Sequence, residues 1–373
     1  MKIGKTTLIP QNVAPENAKK VVLFDSSGKR VCETVLGHLA IPYLGRKLYT
    51  FLELSDCHVY GNSHENPALN KSYKSDTNSA ADLQKALSFA KENADFTNIC
   101  GDLTSWGNTN DLSMYKGIID SYMGSGGKPV YAMAGNHEWW GKLYGEESDD
   151  FDIRSVIANY TGYPMQFAIT HEDNPTVDEN DVFIFCGMDS VSNDFSADSI
   201  EWLHTTLDKY RNHRCFLHVH SYLNGGQYCG GIPGLVNSNG AINAPYLSIF
   251  LSLLKHYKNV IYFHGHSHYM FQMQEEYVRN FDLIENPPPL NYDFTSGVHS
   301  INIASVAFPV DISNGDTDEV WSESQGLLVD VYRNHIVLRG IDFVRNKSIP
   351  IAHYCLDTTL KTVESKAASY FGI

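Results

Sequence analysis

Histidine, aspartate and asparagine recur just past the ends of short apolar runs, and no other feature constrains the fold of this chain as tightly. The runs lie near Leu48–Leu54, Phe96–Cys100, Pro129–Ala134, Val182–Cys186, Cys215–Val219 and Val260–Phe263. Asp56 and His58 follow the first, Asp102 the second, Asn136 and His137 the third, His220 the fifth, and His266 with His268 the sixth. Runs of this length read as buried strands, and the amphipathic segments between them predict an α/β sheet. In such a sheet, ligands bind outside the carboxyl ends of the strands.

Helices are expected between most of these strands. After Ser79 the stretch Ser79-Ala-Ala-Asp82 resembles a capping box, and Leu83, Ala86, Leu87 and Ala90 keep helical spacing. Further helices are predicted over Leu112–Tyr122, Ser196–Tyr210 and Ala244–His256. Past Ser300 strands return (Ser300–Val306, Gly326–Tyr332, His335–Ile341), as expected for a second sheet packed on the first. Ahead of Lys47, strand-like Lys20–Asp25 and Arg30–Leu36 flank a turn signal at Ser26-Ser27-Gly28. These divide the chain into a small β-rich appendage, 1–45, and a main domain, 46–373. Glu285–Gly297, with Pro287-Pro288-Pro289, reads as irregular, and the acidic Tyr144–Asp152 as a solvated loop.

With 43% apolar and 12% aromatic residues, a chain of 373 can bury a large core. No apolar run approaches the roughly 20 residues of a membrane span, and the N-terminal stretch has no apolar leader core, so cytoplasmic residence is expected. The cysteines (Cys32, Cys57, Cys100, Cys186, Cys215, Cys229 and Cys355) are odd in number and scattered, which reads as reduced thiols. A net charge of −15 disfavours nucleic acid and anionic membranes as partners.

The donors Asp56, His58, Asp102, Asn136, His220, His266 and His268 are oxygen and imidazole ligands that suit Mn, Fe, Zn or Co rather than soft copper. They suffice for two divalent ions with one carboxylate bridging. Gly101, Gly135 and Gly265 each precede a proposed ligand, where backbone must turn sharply near the ions. Asp-x-His and Gly-Asp alone are common chance patterns. Gly-Asn-His-Glu is more specific, and His264-Gly-His266-Ser-His268 more so, because three histidines in five residues rarely serve packing alone. His204, His213 and His256 fall on helix faces or loops, and His264 suits a supporting or a buried structural role.

In this order the motifs resemble the calcineurin-like metallophosphoesterase superfamily: Asp56-Cys-His58, Gly101-Asp102, Gly135-Asn136-His137-Glu138, an isolated histidine, then Gly265-His266-Ser-His268. The resemblance spans about 48–345. It implies an α/β fold, a four-layer α-β-β-α sandwich of two mixed sheets flanked by helices, here with the N-terminal β appendage added. It also implies a first metal on Asp56, His58, bridging Asp102 and His268. A second would sit on Asp102, Asn136, His220 and His266. His137 would lie outside the metal shell and assist the leaving group or the transition state, so that His137 and Asp102 carry the catalytic roles. The isolated histidine is His218 or His220, which share a strand face; the five-residue run ending at Val219 favours His220. Two cations would activate a bridging water as hydroxide for in-line attack on a phosphate ester.

Departures from known branches narrow the substrate. Ser/Thr protein phosphatases carry arginines in Gly-Asp-x-x-Asp-Arg-Gly and Arg-Gly-Asn-His-Glu, and here Gly101–Gly107 and Ala134–Glu138 lack both. Without those bidentate phosphate grips, a phosphoprotein substrate is disfavoured. Ser105 stands where purple acid phosphatases place an iron-binding tyrosine. Trp106, Trp139, Trp140 and Tyr222, with Gly225-Gly226, suggest an aromatic rim for a small organic ester of nucleotide or glycerophospho type, or rings packed beneath the loops. Phosphodiester hydrolysis is the favoured expectation, ahead of monoester. The alternatives are a non-catalytic, metal-stabilised binding or scaffold protein on the same fold, and attachment to a larger assembly through 1–45.

Overall fold

The computed structural model describes residues 20–24, 30–35, 44–61, 78–143, 151–190, 195–222, 247–271, 278–280, 299–311, 318–319 and 322–373. The turn at Ser26-Ser27-Gly28, most of the acidic Tyr144–Asp152 loop, Gly225-Gly226 and Glu285–Gly297 lie outside them. Near the N-terminus, β1 (Lys20–Phe24) and β2 (Arg30–Val35) pair antiparallel and, among the described residues, only with each other.

Alternation along β3 (Lys47–Leu54) sets the layering. Tyr49 and Phe51 enter one apolar cluster while Leu52 and Leu54 enter another, so both faces of the strand are covered. β4 (Phe96–Cys100) and β5 (Val130–Met133) run parallel beside it. A second sheet holds β6 (Gln166–Ile169), β7 (Asp181–Cys186), β8 (Arg214–His218), β9 (Val260–His264), β10 (Val278–Asn280) and β11 (His299–Asn302), in the order β10-β11-β9-β8-β7-β6. After a short pair, β12 (Val310–Asp311) with β13 (Asp318–Glu319), come β14 (Gln325–Tyr332), β15 (His335–Asp342) and β16 (Lys347–Asp357). These extend the first sheet as β16-β15-β14-β3-β4-β5. Both sheets mix parallel and antiparallel pairs.

This corrects the expectation that the early runs build one sheet and the strands after Ser300 another. The chain leaves the first sheet after β5, and β11 joins β9 while β14 returns to pair with β3. Runs buried on both faces look alike in sequence, so their periodicity cannot say which sheet each enters.

Between the sheets Phe51 stacks on Phe96 at 5.6 Å and meets Phe183 and Phe216 edge-on at 5.0 and 5.3 Å. Helices cover both outer faces. α1 (Ser79–Asn93) seats Leu83, Ala86, Leu87 and Ala90 against the first sheet, alongside α2 (Thr109–Gly124). Asn78, rather than Ser79, is the N-cap of α1, and it makes no side-chain cap, so the capping-box reading there is withdrawn. α3 (Trp140–Leu143) and α4 (Ile153–Thr161) follow at the edge by β5. α5 (Ala197–Lys209) and α6 (Leu247–His256) cover the second sheet through Leu203, Leu207, Phe250 and Leu253. The result is the four-layer α-β-β-α sandwich. Among the described residues no helix is long and apolar enough to cross a membrane.

Histidines that the sequence left without a task tie down the C-terminal segment leading to α7 (Ala368–Phe371). His204 Nε2 donates to the Lys366 carbonyl at 3.0 Å and His256 Nε2 to that of Glu364 at 2.8 Å.

At the amino ends of β7 and β8 an ion pair is buried in the core. Arg214 Nε and Nη2 donate to Asp181 at 2.9 and 2.7 Å, and Tyr49 Oη donates to the same carboxylate at 2.6 Å. Burial pushes the Asp181 carboxyl up even with the guanidinium attached, because desolvation works against the charged form. Arg214→Met leaves that carboxylate without its counter-charge and is expected to destabilise the fold by about 3–5 kcal/mol. Urea denaturation measures the loss. Divalent-cation uptake is expected to be unchanged, because the predicted ligands cluster at the other ends of the strands.

Candidate metal centre

Past β3, β4 and β9 the backbone enters the left-handed region that side chains with a Cβ avoid. Asp56, His58, Asp102, His266 and His268 have φ of 53°, 42°, 49°, 65° and 57°. Such residues cost on the order of 1–3 kcal/mol each and persist only where their surroundings over-determine them. Here the loops continue the parallel ladder beyond the strands. Asp56 N donates to Gly101 O at 3.1 Å, His58 N to Asp102 O at 3.0 Å and Gly265 N to His220 O at 3.0 Å. Two glycines make the approach sterically feasible. A Cβ on Gly135 would run into Asp102 and His220, and one on Gly265 would run into Ser55 and Asp56.

All seven sequence-predicted ligands and His137 follow the carboxyl ends of strands, and all are buried. Asp56, His58, Asp102 and His268 form one group, and Asp102, His220 and His266 a second; in each, the candidate ligand atoms lie within 4.8 Å of one another. Asp102 belongs to both. His268 Nε2 is 2.9 Å from Asp56 Oδ1, and His58 Nε2 is 3.1 Å from His268 Nε2. His220 Nε2 is 3.0 Å from Asp102 Oδ2. His218 takes a different place. It points between the sheets, stacked on Phe185 at 4.4 Å, with Nε2 2.8 Å from Glu53 Oε1.

The donor set fits cations. Asp102 Oδ2, Asn136 Oδ1 and His220 Nε2 are buried with no hydrogen-bond partner among the described residues. The His220–Asp102 contact is close enough for a hydrogen bond but out of line for one. Asn136 Oδ1 comes from the loop after β5. Backbone carbonyls, which can only accept, fix the tautomers: His220 Nδ1 donates to Cys100 O at 2.7 Å, His268 Nδ1 to Phe308 O at 3.2 Å and His137 Nδ1 to Ser105 O at 2.7 Å. Each ring therefore turns Nε2 away from the backbone.

Electrostatics point the same way. Burial opposes ionisation of Asp56, yet His268 and His220 outweigh it and hold the carboxyl well below the usual range. Asp102 is also held low, with His220 and His137 overcoming burial. Burial works against the His220 cation too, but Asp102 and Asp56 raise its pKa to about 9. Burial and the neighbouring His220 push His266 down to about 3. Burial, with His137 and His268 close by, depresses His58 as well. Without cations, then, protons on some histidines offset the carboxylates.

Several supporting groups escaped the sequence reading. Glu138 Oε2 accepts from Gly135 N at 2.7 Å and Oε1 from Thr104 N at 2.9 Å, tying the loops after β4 and β5 together. Burial and Asp102 push its carboxyl up to about 7. Its place in Gly-Asn-His-Glu was the available signal. Ser305 Oγ donates to Asp56 O at 3.1 Å, and Phe308 packs its ring on His268 at 4.4 Å. No local pattern marks a partner so distant along the chain. Of the aromatic residues, Trp106 and Tyr222 are buried, while Trp139 and Trp140 are half-buried; Tyr222 stacks near His266 at 5.9 Å.

A family model for the calcineurin-like phosphoesterases matches residues 49–270. A dimetal phosphatase from Danio rerio aligns at a TM-score of 0.54 with 13% identity, over 84% of this chain and all of that one, and shares the fold. A predicted phosphoesterase from Streptococcus pneumoniae aligns at a TM-score of 0.36 with 10% identity, over 83% of this chain and 97% of its own. No curated protein matches the sequence.

Two outcomes follow from the geometry. Because His220 stays protonated up to about pH 9, loading with a divalent cation must expel that proton. Affinity is expected to rise by about tenfold per pH unit for that one proton and to level off above that pKa. Calorimetry in buffers of different ionisation enthalpy counts the protons released. Gly135→Ala is expected to weaken Mn binding by about 10–100-fold with the circular dichroism of the fold retained; unchanged affinity would show that the close approach of the two loops is dispensable.

Proposed function

Because the chain belongs to the calcineurin-like phosphoesterases, and so is a metal-dependent phosphoester hydrolase, we propose that it acts on phosphodiesters with an organic leaving group. The observation that carries the reading is Asp102, a buried carboxylate common to two groups of ligand atoms. In this reading Asp56, His58, Asp102 and His268 hold one ion, and Asp102, Asn136, His220 and His266 hold the other. Such a pair polarises phosphoryl oxygens and lowers the pKa of nearby water.

The chain's own groups do the rest. Asp102 sets the spacing of the two subsites, and the carbonyls of Cys100 and Phe308 keep His220 and His268 aimed. His137 Nε2 lies 3.8 Å from Oδ2 of Asp102, the carboxylate common to both groups of ligand atoms. Burial lowers its proton affinity, and an anionic ester alongside favours the protonated ring. That ring then donates to the departing oxygen.

Two features support a diester. Trp106 and Ala134 stand where phosphoprotein phosphatases carry the two motif arginines, and a diester bears less charge to neutralise than a monoester. Tyr222, whose ring lies 5.9 Å from that of His266, puts an aromatic neighbour beside the second subsite, which suits a small ester of nucleotide or glycerophospho type. Nucleic acid is set aside on net charge. The buried free thiols Cys57, Cys100, Cys186, Cys215 and Cys355 support a reducing compartment, the cytoplasm. Residues 1–45, with a hairpin that pairs only with itself among the described residues, are read as an appendage to a catalytic domain over 46–373.

Hydrolysis of bis-p-nitrophenyl phosphate and p-nitrophenyl phosphate by the Mn-loaded protein tests the reading. The diester is expected to be the better substrate, and Asp102→Asn is expected to lower its turnover by at least about a hundredfold. Preference for the monoester would overturn the substrate class. Turnover of neither, with manganese bound, would leave a binding protein on a catalytic fold.

A further inference from the structure

Trp140 lays its indole over the His137 imidazole, with ring centroids 3.6 Å apart and planes 26° from parallel. Local helical geometry brings them together: a single turn of 3-10 helix, His137–Trp139, leads into α3 at Trp140, and residues three apart eclipse in such a turn. Trp140 also leans on the buried Trp106 at 5.3 Å. Other neighbours also meet the imidazole. Nδ1 donates to Ser105 O at 2.7 Å, and the His58 ring meets it edge-on at 4.5 Å. The hydrogen bond at Nδ1 fixes that ring atom and not the tilt of the plane about it, because the terminal torsion of histidine is broad. A flat partner at stacking distance removes that freedom.

We propose that Trp140 is a positioning residue for the hydrolysis: it holds the plane of His137 so that Nε2 faces the departing oxygen. This rests on the leaving-group role given to His137 above. Trp140 acts through the imidazole, and its effect should vanish when the imidazole is removed. Trp139 is the local control, since its indole N–H is bound to Met188 O at 2.9 Å and it lies next to Trp140 in sequence.

The test measures kcat and KM of the full-length, Mn-loaded protein on a p-nitrophenyl ester and the matching phenyl ester. Both leaving groups are aryl and differ chiefly in how much they need a proton. Trp140→Ala is expected to lower kcat on the phenyl ester at least about tenfold, with KM changed less than about threefold and a much smaller loss on the p-nitrophenyl ester. Trp140→Phe should restore most of the rate, Trp139→Phe should behave as wild type, and Trp140→Ala/His137→Ala should be no slower than His137→Ala alone. Equal losses on both esters, loss of bound manganese, or a Trp140→Ala effect that multiplies with His137→Ala overturns the proposal. If His137→Ala shows the leaving-group dependence and Trp140→Ala does not, the role of Trp140 fails and that of His137 stands. If His137→Ala leaves both esters untouched, the role of His137 fails first and the proposal falls with it.

Discussion

Polar atoms buried face to face without hydrogen-bond partners are the constraint around which the rest of this molecule is arranged. Asp102 Oδ2, Asn136 Oδ1 and His220 Nε2 are out of reach of solvent and without hydrogen-bond partners among the described residues. Leaving such groups unmatched costs free energy that a fold cannot supply many times over. Cations at this point satisfy several of them at once. The left-handed backbone at Asp56, His58, Asp102, His266 and His268 has the same logic. Each strained residue is tolerated because the loops hydrogen-bond to one another and bring the donor atoms together.

The two-sheet interior provides the stiffness this requires. Aromatic rings from both sheets interlock between the layers, and the parallel strands β3, β4, β5, β8 and β9 bring their candidate ligands to the same end of the sandwich. Below the centre, Glu53, Asn98 and His218 form a buried polar contact that spans the sheets, with Asn98 Nδ2 donating to Glu53 Oε1 at 2.7 Å. A polar link in an otherwise apolar layer favours one register over its neighbours, because any slip would strand these groups unpaired. Beyond the ligands, a ring of carbonyls and the Glu138 carboxylate hold the rings and loops in place, so the centre is preorganised by groups that never face substrate.

Elements whose local chemistry is unmixed are legible in the amino-acid sequence. The apolar run Val182–Cys186 fills β7 but for its first residue, because buried parallel strands are near-continuous apolar runs, and Phe96–Cys100 coincides with β4 to the residue with Phe96, Ile99 and Cys100 framing Thr97 and Asn98. Segments with mixed signals are not legible in this way. β16 contains Pro350, which argues against a strand in the sheet interior but is tolerated at a sheet edge, where a missing N–H costs little. β6 is four residues long and also at an edge, and α4 is a short helix outside the main alternation. The helix begins as expected at Ser79, but the capping box does not form: Ser79 lies inside the first turn and the N-cap position falls to Asn78, whose side chain caps nothing.

The sequence by itself marked the candidate donors of the centre: which residues, in which order, each beyond a strand, with Asp102, Asn136 and His266 next to a glycine. Spacing within a motif is a local property, so it survives without coordinates. Tertiary structure alone decided which sheet each strand enters. It also separated His220, beyond the strand end and against Asp102, from His218, still within the strand and between the sheets. It further decided that Trp140 stacks on His137 while Phe308 and Ser305 brace ligands some 250 residues earlier or 40 residues away. Alternation places two residues on one face of a strand, but what that face meets depends on which distant elements pack against it, and that is settled only when the whole chain has folded.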